Sequence, residues 1–282
     1  MARIYRFFTR HLLADSLPQQ QERPFHLTEG LEPEIVYQLT KVLRASAGDK
    51  VILLPAASDS KSGHNGPYFE FEYTIETSQK KDVVLRFSGK RLNENELSFG
   101  LGLILCLPNK PDKLELILQK AVELGVDRIT LIDGDFSQMK HNLRTERLEK
   151  IIIEAAEQSE RAKVPELVIA GRLGKYLESL APGRRENIFV AMERMNMDKR
   201  EGLAEMLNKK PVRANSKDDG PTSVKSARAD LQILIGPEGG FSEAEKGLIG
   251  SLGLHCFSLG KRILRMETAA ILSLGLAAQG YL

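Results

Sequence analysis

Two apolar runs near the C-terminal end of the chain each stop at a glycine-rich turn, and this pairing constrains the fold more than any other feature. Leu231-Gln-Ile-Leu-Ile235 ends at Gly236-Pro-Glu-Gly-Gly240, and the run 256–259 ends at Gly260-Lys-Arg-Ile-Leu-Arg-Met-Glu-Thr268 before an apolar helix. Pro237 fixes φ and removes a donor, while Gly239 and Gly240 admit positive φ and let a ligand approach the backbone. Phe241-Ser-Glu-Ala-Glu245 then has the form of a helix start, with Ser242 as N-cap and Glu245 three residues on. Two short buried strands, each leading through such a turn into a helix, point to an α/β domain.

Upstream, the first part of the chain reads differently. Residues 4–8, 50–54, 68–76 and 82–88 are short segments rich in β-branched and aromatic residues, as strands are. Between the first two, residues 33–44 place Ile35, Leu39, Val42 and Leu43 at helical spacing. Many short strands with one small helix argue for a small barrel or sandwich. The polar stretch 58–66 reads as a loop, and the polar segment 91–96 as the boundary of this first domain.

Residues 97–107 are apolar throughout, as in a strand buried on both faces of a parallel sheet. Asp112 with Glu115 can cap a helix whose Leu114, Ile117, Leu118, Ala121 and Val122 form one stripe ending at Gly125. Residues 126–132 supply the next strand, giving a right-handed βαβ unit. An amphipathic helix is expected over 143–161, and further strands at 168–169 and 187–192. Residues 208–230 carry almost no large apolar side chain and read as a flexible insertion. The final helix, 268–281, is apolar all round, so it is buried in its own domain or against a second subunit.

Composition excludes several classes. A chain of 282 residues with net charge +2 holds one large domain or two ordinary ones and permits nucleic-acid binding without indicating it. Residues 1–95 hold 13 Lys and Arg against 12 Asp and Glu, so only spatial clustering could make a basic patch there. Cys106 and Cys256 lie in apolar runs as core thiols, and the five histidines show no metal spacing. The longest apolar run is too short to span a bilayer and no signal-peptide core is present, so a soluble, cytoplasmic protein without a metal is expected.

The motifs together carry a family resemblance. Gly236-Pro-Glu-Gly-Gly240, Leu259-Gly-Lys-Arg-Ile-Leu-Arg265 and Glu267-Thr-Ala269 resemble the 16S rRNA uridine-N3 methyltransferases of the SPOUT, or α/β-knot, superfamily. The resemblance extends to Leu39-Thr-Lys-Val-Leu-Arg44, Gln119-Lys-Ala-Val-Glu-Leu-Gly125 and Glu154-Ala-Ala-Glu-Gln158 with Arg161 and Val164-Pro165. It implies a PUA-like β-barrel over 1–94 that binds RNA, followed over 95–282 by a trefoil-knot methyltransferase domain with a mostly parallel sheet. It also implies a homodimer, S-adenosylmethionine as cofactor, and rRNA of the small ribosomal subunit as substrate.

On this resemblance, the cofactor contacts fall on Ile235, Gly236, Pro237, Glu238, Gly239, Gly240, Leu259, Gly260, Arg262, Ile263, Leu264 and Thr268. Uracil N3 is protonated at neutral pH and lies on the pairing edge, so the base must be unpaired and then deprotonated. Arg265 suits stabilisation of charge on the pyrimidine oxygens; Glu267, and secondarily Glu157, are candidate proton acceptors, with solvent left open. If residues 262–265 form a helical turn, at most one of Arg262 and Arg265 faces the pocket. RNA contacts are implied for Arg3, Arg6, Lys41, Arg44, Lys140 and Arg161. One departure stands out: where the family usually carries Glu-Arg after the strand ending at Ile132, this chain has Asp135-Phe136.

Three other readings compete. A 2′-O-ribose methyltransferase of the same superfamily differs only in acceptor atom, and a non-catalytic RNA-binding protein would keep the fold without the cofactor. A P-loop NTPase is disfavoured, because Arg262 follows Gly260-Lys261 where Ser or Thr is needed and His255 stands where Gly is needed.

Overall fold

The computed structural model describes residues 2–9, 25–26, 31–55, 68–79, 82–138, 143–193, 201–209 and 230–279. The chain forms two compact units, residues 1–96 with 156–164 and residues 97–155 with 165–282. The first unit therefore includes a segment that lies far along the chain from the rest of it.

The first unit is built on a five-stranded sheet. Strands β1 (Ile4–Thr9), β2 (Phe25–His26), β3 (Lys50–Pro55), β4 (Tyr68–Gln79) and β5 (Asp82–Asn93) lie in the order β1-β3-β4-β5-β2. Strand β1 is parallel to β3; the other pairs are antiparallel. Alternate residues of β4 and β5, namely Phe71, Tyr73, Ile75, Val83 and Leu85, enter the core with Phe7, Val51 and Leu53. Helix α1 (Pro33–Tyr37) closes this core through Ile35 and continues into a π-helical turn, Gln38–Val42. The sequence spacing predicts one α-helix to Arg44; the structure instead widens the turn, with Leu43 N donating to Gln38 O at 2.8 Å. That widening leaves Val42 outward and 61 % exposed, not in the core as its helical spacing suggested, and Arg44 ends the segment at φ 50°.

One ion pair and one set of amide hydrogen bonds stitch the distant segment into this unit. Glu96 accepts from Arg161 Nη2 at 2.7 Å and from Ala162 N at 2.8 Å. Glu160 adopts φ 56°, and its carbonyl accepts from the side chains of Asn93 and Asn95, each at 3.1 Å.

The second unit is a six-stranded sheet in which every pair is parallel. Its strands are β6 (Gly100–Cys106), β7 (Arg128–Asp133), β8 (Glu166–Arg172), β9 (Ile188–Ala191), β10 (Asp230–Ile235) and β11 (His255–Phe257), in the order β11-β9-β10-β6-β7-β8. Strand β6 is buried along its whole length, as its unbroken apolar run requires. Helix α2 (Pro111–Glu123) buries Leu114, Ile117, Leu118, Ala121 and Val122, the expected stripe. Its N-terminus differs from expectation: Pro111 takes the first helical position, so Asp112 lies inside the first turn and no side chain caps it. Helix α3 (Thr145–Gln158) is shorter at both ends than the spacing suggested.

Helices α4 (Leu173–Ser179), α5 (Pro182–Arg185) and α6 (Leu203–Lys209) were not foreseen from the sequence. Asn208 and Lys209 close α6 and Asp230 opens β10, so the ends of the expected 208–230 insertion are regular structure. Residues 210–229 lie outside the described residues. Helix α7 (Glu243–Ser251) starts at Ser242 with the full reciprocal capping box through Glu245. Helix α8 (Met266–Gln279) packs on α2, α6 and β10. It buries Ala270, Ser273, Leu274, Ala277 and Ala278 but leaves Leu272 41 % exposed, so part of its apolar surface is not covered by the described residues.

Candidate active site

The site grows out of the parallel sheet. In such a sheet all carboxyl ends point to one edge, and ligands bind outside that edge. Strands β9, β10 and β11 end there side by side, and residues following each of them line one cavity of about 610 Å³. That volume suits a small-molecule cofactor.

Two loops form most of its wall. After Ile235, the chain turns at Pro237 to Gly240, closed by Gly240 N donating to Pro237 O at 2.9 Å, with Gly240 at φ 74°. The turn needs bare backbone elsewhere too: a Cβ on Gly236 would lie 2.9 Å from Cζ of Phe241, whose ring is buried behind it. The second loop follows β11. Ser258 forms a parallel bridge with Gly202, and Gly260 takes φ 108°, a conformation open to glycine. Residues Leu259, Gly260, Arg262, Ile263, Leu264 and Arg265 then run along the cavity together with Ile235, Gly236, Pro237, Glu238, Gly239 and Gly240.

The structure thus brings to one cavity eleven of the twelve residues expected to hold a cofactor, and Arg265 with them. Thr268 is exposed in the first turn of α8, and Met266 and Ala269 line the cavity instead. Arg262 and Arg265 both line it, because helical structure begins only at Met266 and residues 261–265 are irregular. Lys261, Arg262 and Arg265 form no ion pair among the described residues. Sequence reasoning missed Lys113, Ala191, Met192, Glu193, Phe241, Lys246 and Ser258, which also line the cavity. Of these, residues 191–193 could have been found as the segment following a buried strand.

Carboxylates near the site differ in availability. Glu238 accepts from Lys113 Nζ at 2.8 Å and from Asn109 N at 3.1 Å. Partial burial works to raise its pKa, but the lysine and the amide outweigh this and hold it below the usual carboxylate range. Glu267 does not line the cavity, yet its Oε2 is buried with no hydrogen-bond partner among the described residues. Glu157, the secondary candidate for proton acceptor, is not at the cavity: its carboxylate accepts from Phe8 N at 3.0 Å and so caps β1 in the first unit.

Behind the first loop, Glu245 accepts from Ser242 N and Asp135 N, each at 2.8 Å. Ser242 Oγ and Arg172 Nη1 donate to the two oxygens of Asp135 at 2.6 and 3.1 Å. This ties the turn after β7 to the turn after β10. Cys106 lies under Gly134, and burial pushes its thiol well above the usual range, so it is inert.

The RNA contacts implied by the resemblance divide sharply. Lys41 and Arg44 are exposed on the π-helical turn and just after it, and Arg3 is exposed before β1. Arg6 is not: its guanidinium is 7 % exposed and donates to Glu70 Oε1 at 2.6 Å. Arg161 is likewise buried, against Glu96, so both are internal cations of the first unit. Lys140 lies outside the described residues. Among the described residues no group of three or more His, Cys, Asp or Glu is placed to hold a metal, and no helix is long and apolar enough to cross a membrane.

Residues 95–278 match the family model described as an RNA methyltransferase domain. The ribosomal RNA small subunit methyltransferase E of Bacillus subtilis is 30 % identical over 279 residues, covering 94 % of each chain. The chain belongs to this rRNA methyltransferase family. The Rickettsia conorii member is 29 % identical over 226 residues, 79 % of this chain and 81 % of that relative. Among solved structures, a methyltransferase from Legionella pneumophila in complex with S-adenosylmethionine superposes with a TM-score of 0.72 at 26 % identity, over 99 % of this chain and 98 % of that one. The Neisseria gonorrhoeae small subunit methyltransferase E bound to the same cofactor shares the fold, with a TM-score of 0.71 at 21 % identity over 98 % of both chains.

Proposed function

We propose that this protein transfers a methyl group from S-adenosylmethionine to N3 of a uridine in 16S rRNA of the small ribosomal subunit. The observation that carries the reading is the single cavity shared by the loops 236–240 and 259–265 at the carboxyl edge of the sheet.

The residues present fit the cofactor. Gly236, Gly239, Gly240 and Gly260 offer backbone without obstructing side chains, and Ile235, Leu259, Leu264, Met266 and Ala269 offer an apolar surface for a purine. When bound, S-adenosylmethionine supplies an activated methyl group, so the protein has only to hold and align the acceptor. Arg265 presents a permanent cation with no carboxylate partner among the described residues, suited to the charge that develops on a pyrimidine oxygen as N3 loses its proton. Glu267 is the proton acceptor we favour, because its Oε2 is unspent while Glu238 is held ionised by Lys113 and Glu157 is spent on Phe8. Within the same reading, 95–282 is a SPOUT trefoil-knot domain. Residues 1–94 are a PUA-like barrel that binds RNA through Arg3, Lys41 and Arg44, and the protein acts in the cytoplasm in ribosome biogenesis. The apolar side chain of Leu272, exposed among the described residues, supports a homodimer.

The test is methyl transfer from labelled cofactor into small-subunit particles lacking the modification, followed by digestion to nucleosides. Recovery of 3-methyluridine is expected. Label found only on ribose would replace the N3 reading with 2′-O methylation, and RNA binding without cofactor binding would remove the enzymatic reading.

A further inference from the structure

We infer that Phe136 is a stacking platform for an unpaired nucleobase that flanks the methylated one. The inference rests on the methyltransferase reading above and adds the contact that orients the RNA at the mouth of the site.

Phe136 is 51 % exposed, whereas Phe189, Phe241 and Phe257 of the same unit are buried. Its inner edge packs on the bare face of Gly239: a Cβ there would meet Phe136 Cβ at 3.0 Å and Cγ at 3.4 Å. Gly239 lines the cavity and Phe136 does not, so the ring stands beside the opening and leaves the interior to the reacting base.

The ring is held on a rigid turn. Asp135 before it is fixed by Glu245, Ser242 and Arg172. Ser137 after it is buried and exchanges two hydrogen bonds of 3.0 Å with Gly134, through its amide and its hydroxyl. An aromatic side chain fixed in this way loses little freedom on binding.

Charge selects the partner. Lys261, Arg262 and Arg265 line the cavity without carboxylate partners among the described residues, a set that attracts phosphates, and a nucleobase offers the π-face that an exposed phenyl ring accepts.

The experiment compares wild type with Phe136→Ala, Phe136→Leu and Phe136→Trp. It measures the KM for small-subunit particles lacking the modification, cofactor affinity by calorimetry, and subunit assembly by sedimentation. Loss of stacking by Ala and by Leu raises the KM about 10-fold, and Trp restores it to within about 2-fold, with cofactor affinity and assembly unchanged. Wild-type KM in Phe136→Leu would overturn the inference, since apolar packing alone would then suffice. A drop in cofactor affinity would also overturn it, assigning Phe136 to the shape of the Gly239 turn. So would a KM change that follows dimer dissociation, which would assign the ring to a second copy of the chain. If wild type itself transfers no methyl group, the underlying reading fails and takes this inference with it.

Discussion

Arg161 Nη2 lies 2.7 Å from Glu96 Oε2, with both side chains about 95 % buried (4 % and 5 % exposed), and this pair fastens residues 156–164 to the end of the first ninety-six. The geometry is bidentate, since Arg161 Nε also donates to Glu96 Oε1, and Lys163 Nζ adds charge at 3.9 Å. A charge left alone in such a place is costly, so Glu96→Gln or Arg161→Met should destabilise the first unit by about 3–5 kcal/mol. Urea unfolding monitored at a first-unit probe checks this. Arg161→Met should change RNA affinity only in step with the loss of folded protein.

The same network sets acid behaviour. Burial works to raise the pKa of Glu96, but Arg161, Lys163 and the Ala162 amide more than reverse this, and Glu70 is held down in the same way by Arg6, Arg91 and Asn93. Both folded pKa values lie below the ordinary 4.5. The stability they contribute is therefore fully present above that value and is lost as pH falls through the depressed folded values. Thermal melts should show a fall in Tm beginning below about pH 4.5 that is weaker in Glu96→Gln, a variant already destabilised at neutral pH.

The legible parts of the chain were those where one physical demand fixes the local sequence. A strand buried on both faces must be apolar throughout, so β6 could be read directly. A helix start that reuses its own Ser242 and Glu245 could be read for the same reason. The glycine loops were legible as tight turns that line a cavity because positive φ and close approach exclude other residues. What stayed hidden depends on partners distant in sequence. Arg6 and Arg161 look like exposed cations until Glu70 and Glu96 are seen beside them, 64 and 65 residues away. Glu157 looks catalytic until the Phe8 amide is found on it. The π-helical turn at Gln38–Val42 leaves no periodic signature, and the short helices α4 to α6 offer too few turns for one.

Gly236 tests the first loop without altering charge. An added methyl group at 2.9 Å from Phe241 Cζ needs the ring to move, and the ring is only 6 % exposed. Gly236→Ala should destabilise the second unit by about 1–3 kcal/mol and weaken cofactor binding, whereas Gly247→Ala, where a Cβ meets nothing within 4 Å, should do neither. Denaturation and calorimetry on both variants separate a steric effect at the loop from a general cost of replacing glycine.

Arg265 decides whether the cavity is catalytic or only a binding site. It lines the same wall as Gly260 and Leu264 and forms no ion pair among the described residues, so its charge is free to act on a ligand. A cation that stabilises the developing oxyanion contributes in the transition state more than in the ground state. Arg265→Ala should therefore lower kcat by roughly 100- to 1,000-fold while cofactor affinity changes less than about 3-fold. Arg265→Lys keeps the charge but not the planar fork, and should recover only part of the rate. Single-turnover methyl transfer at saturating cofactor and RNA reads the chemical step directly. An unchanged rate in Arg265→Ala would move the stabilising role to Arg262, the guanidinium beside it on that wall.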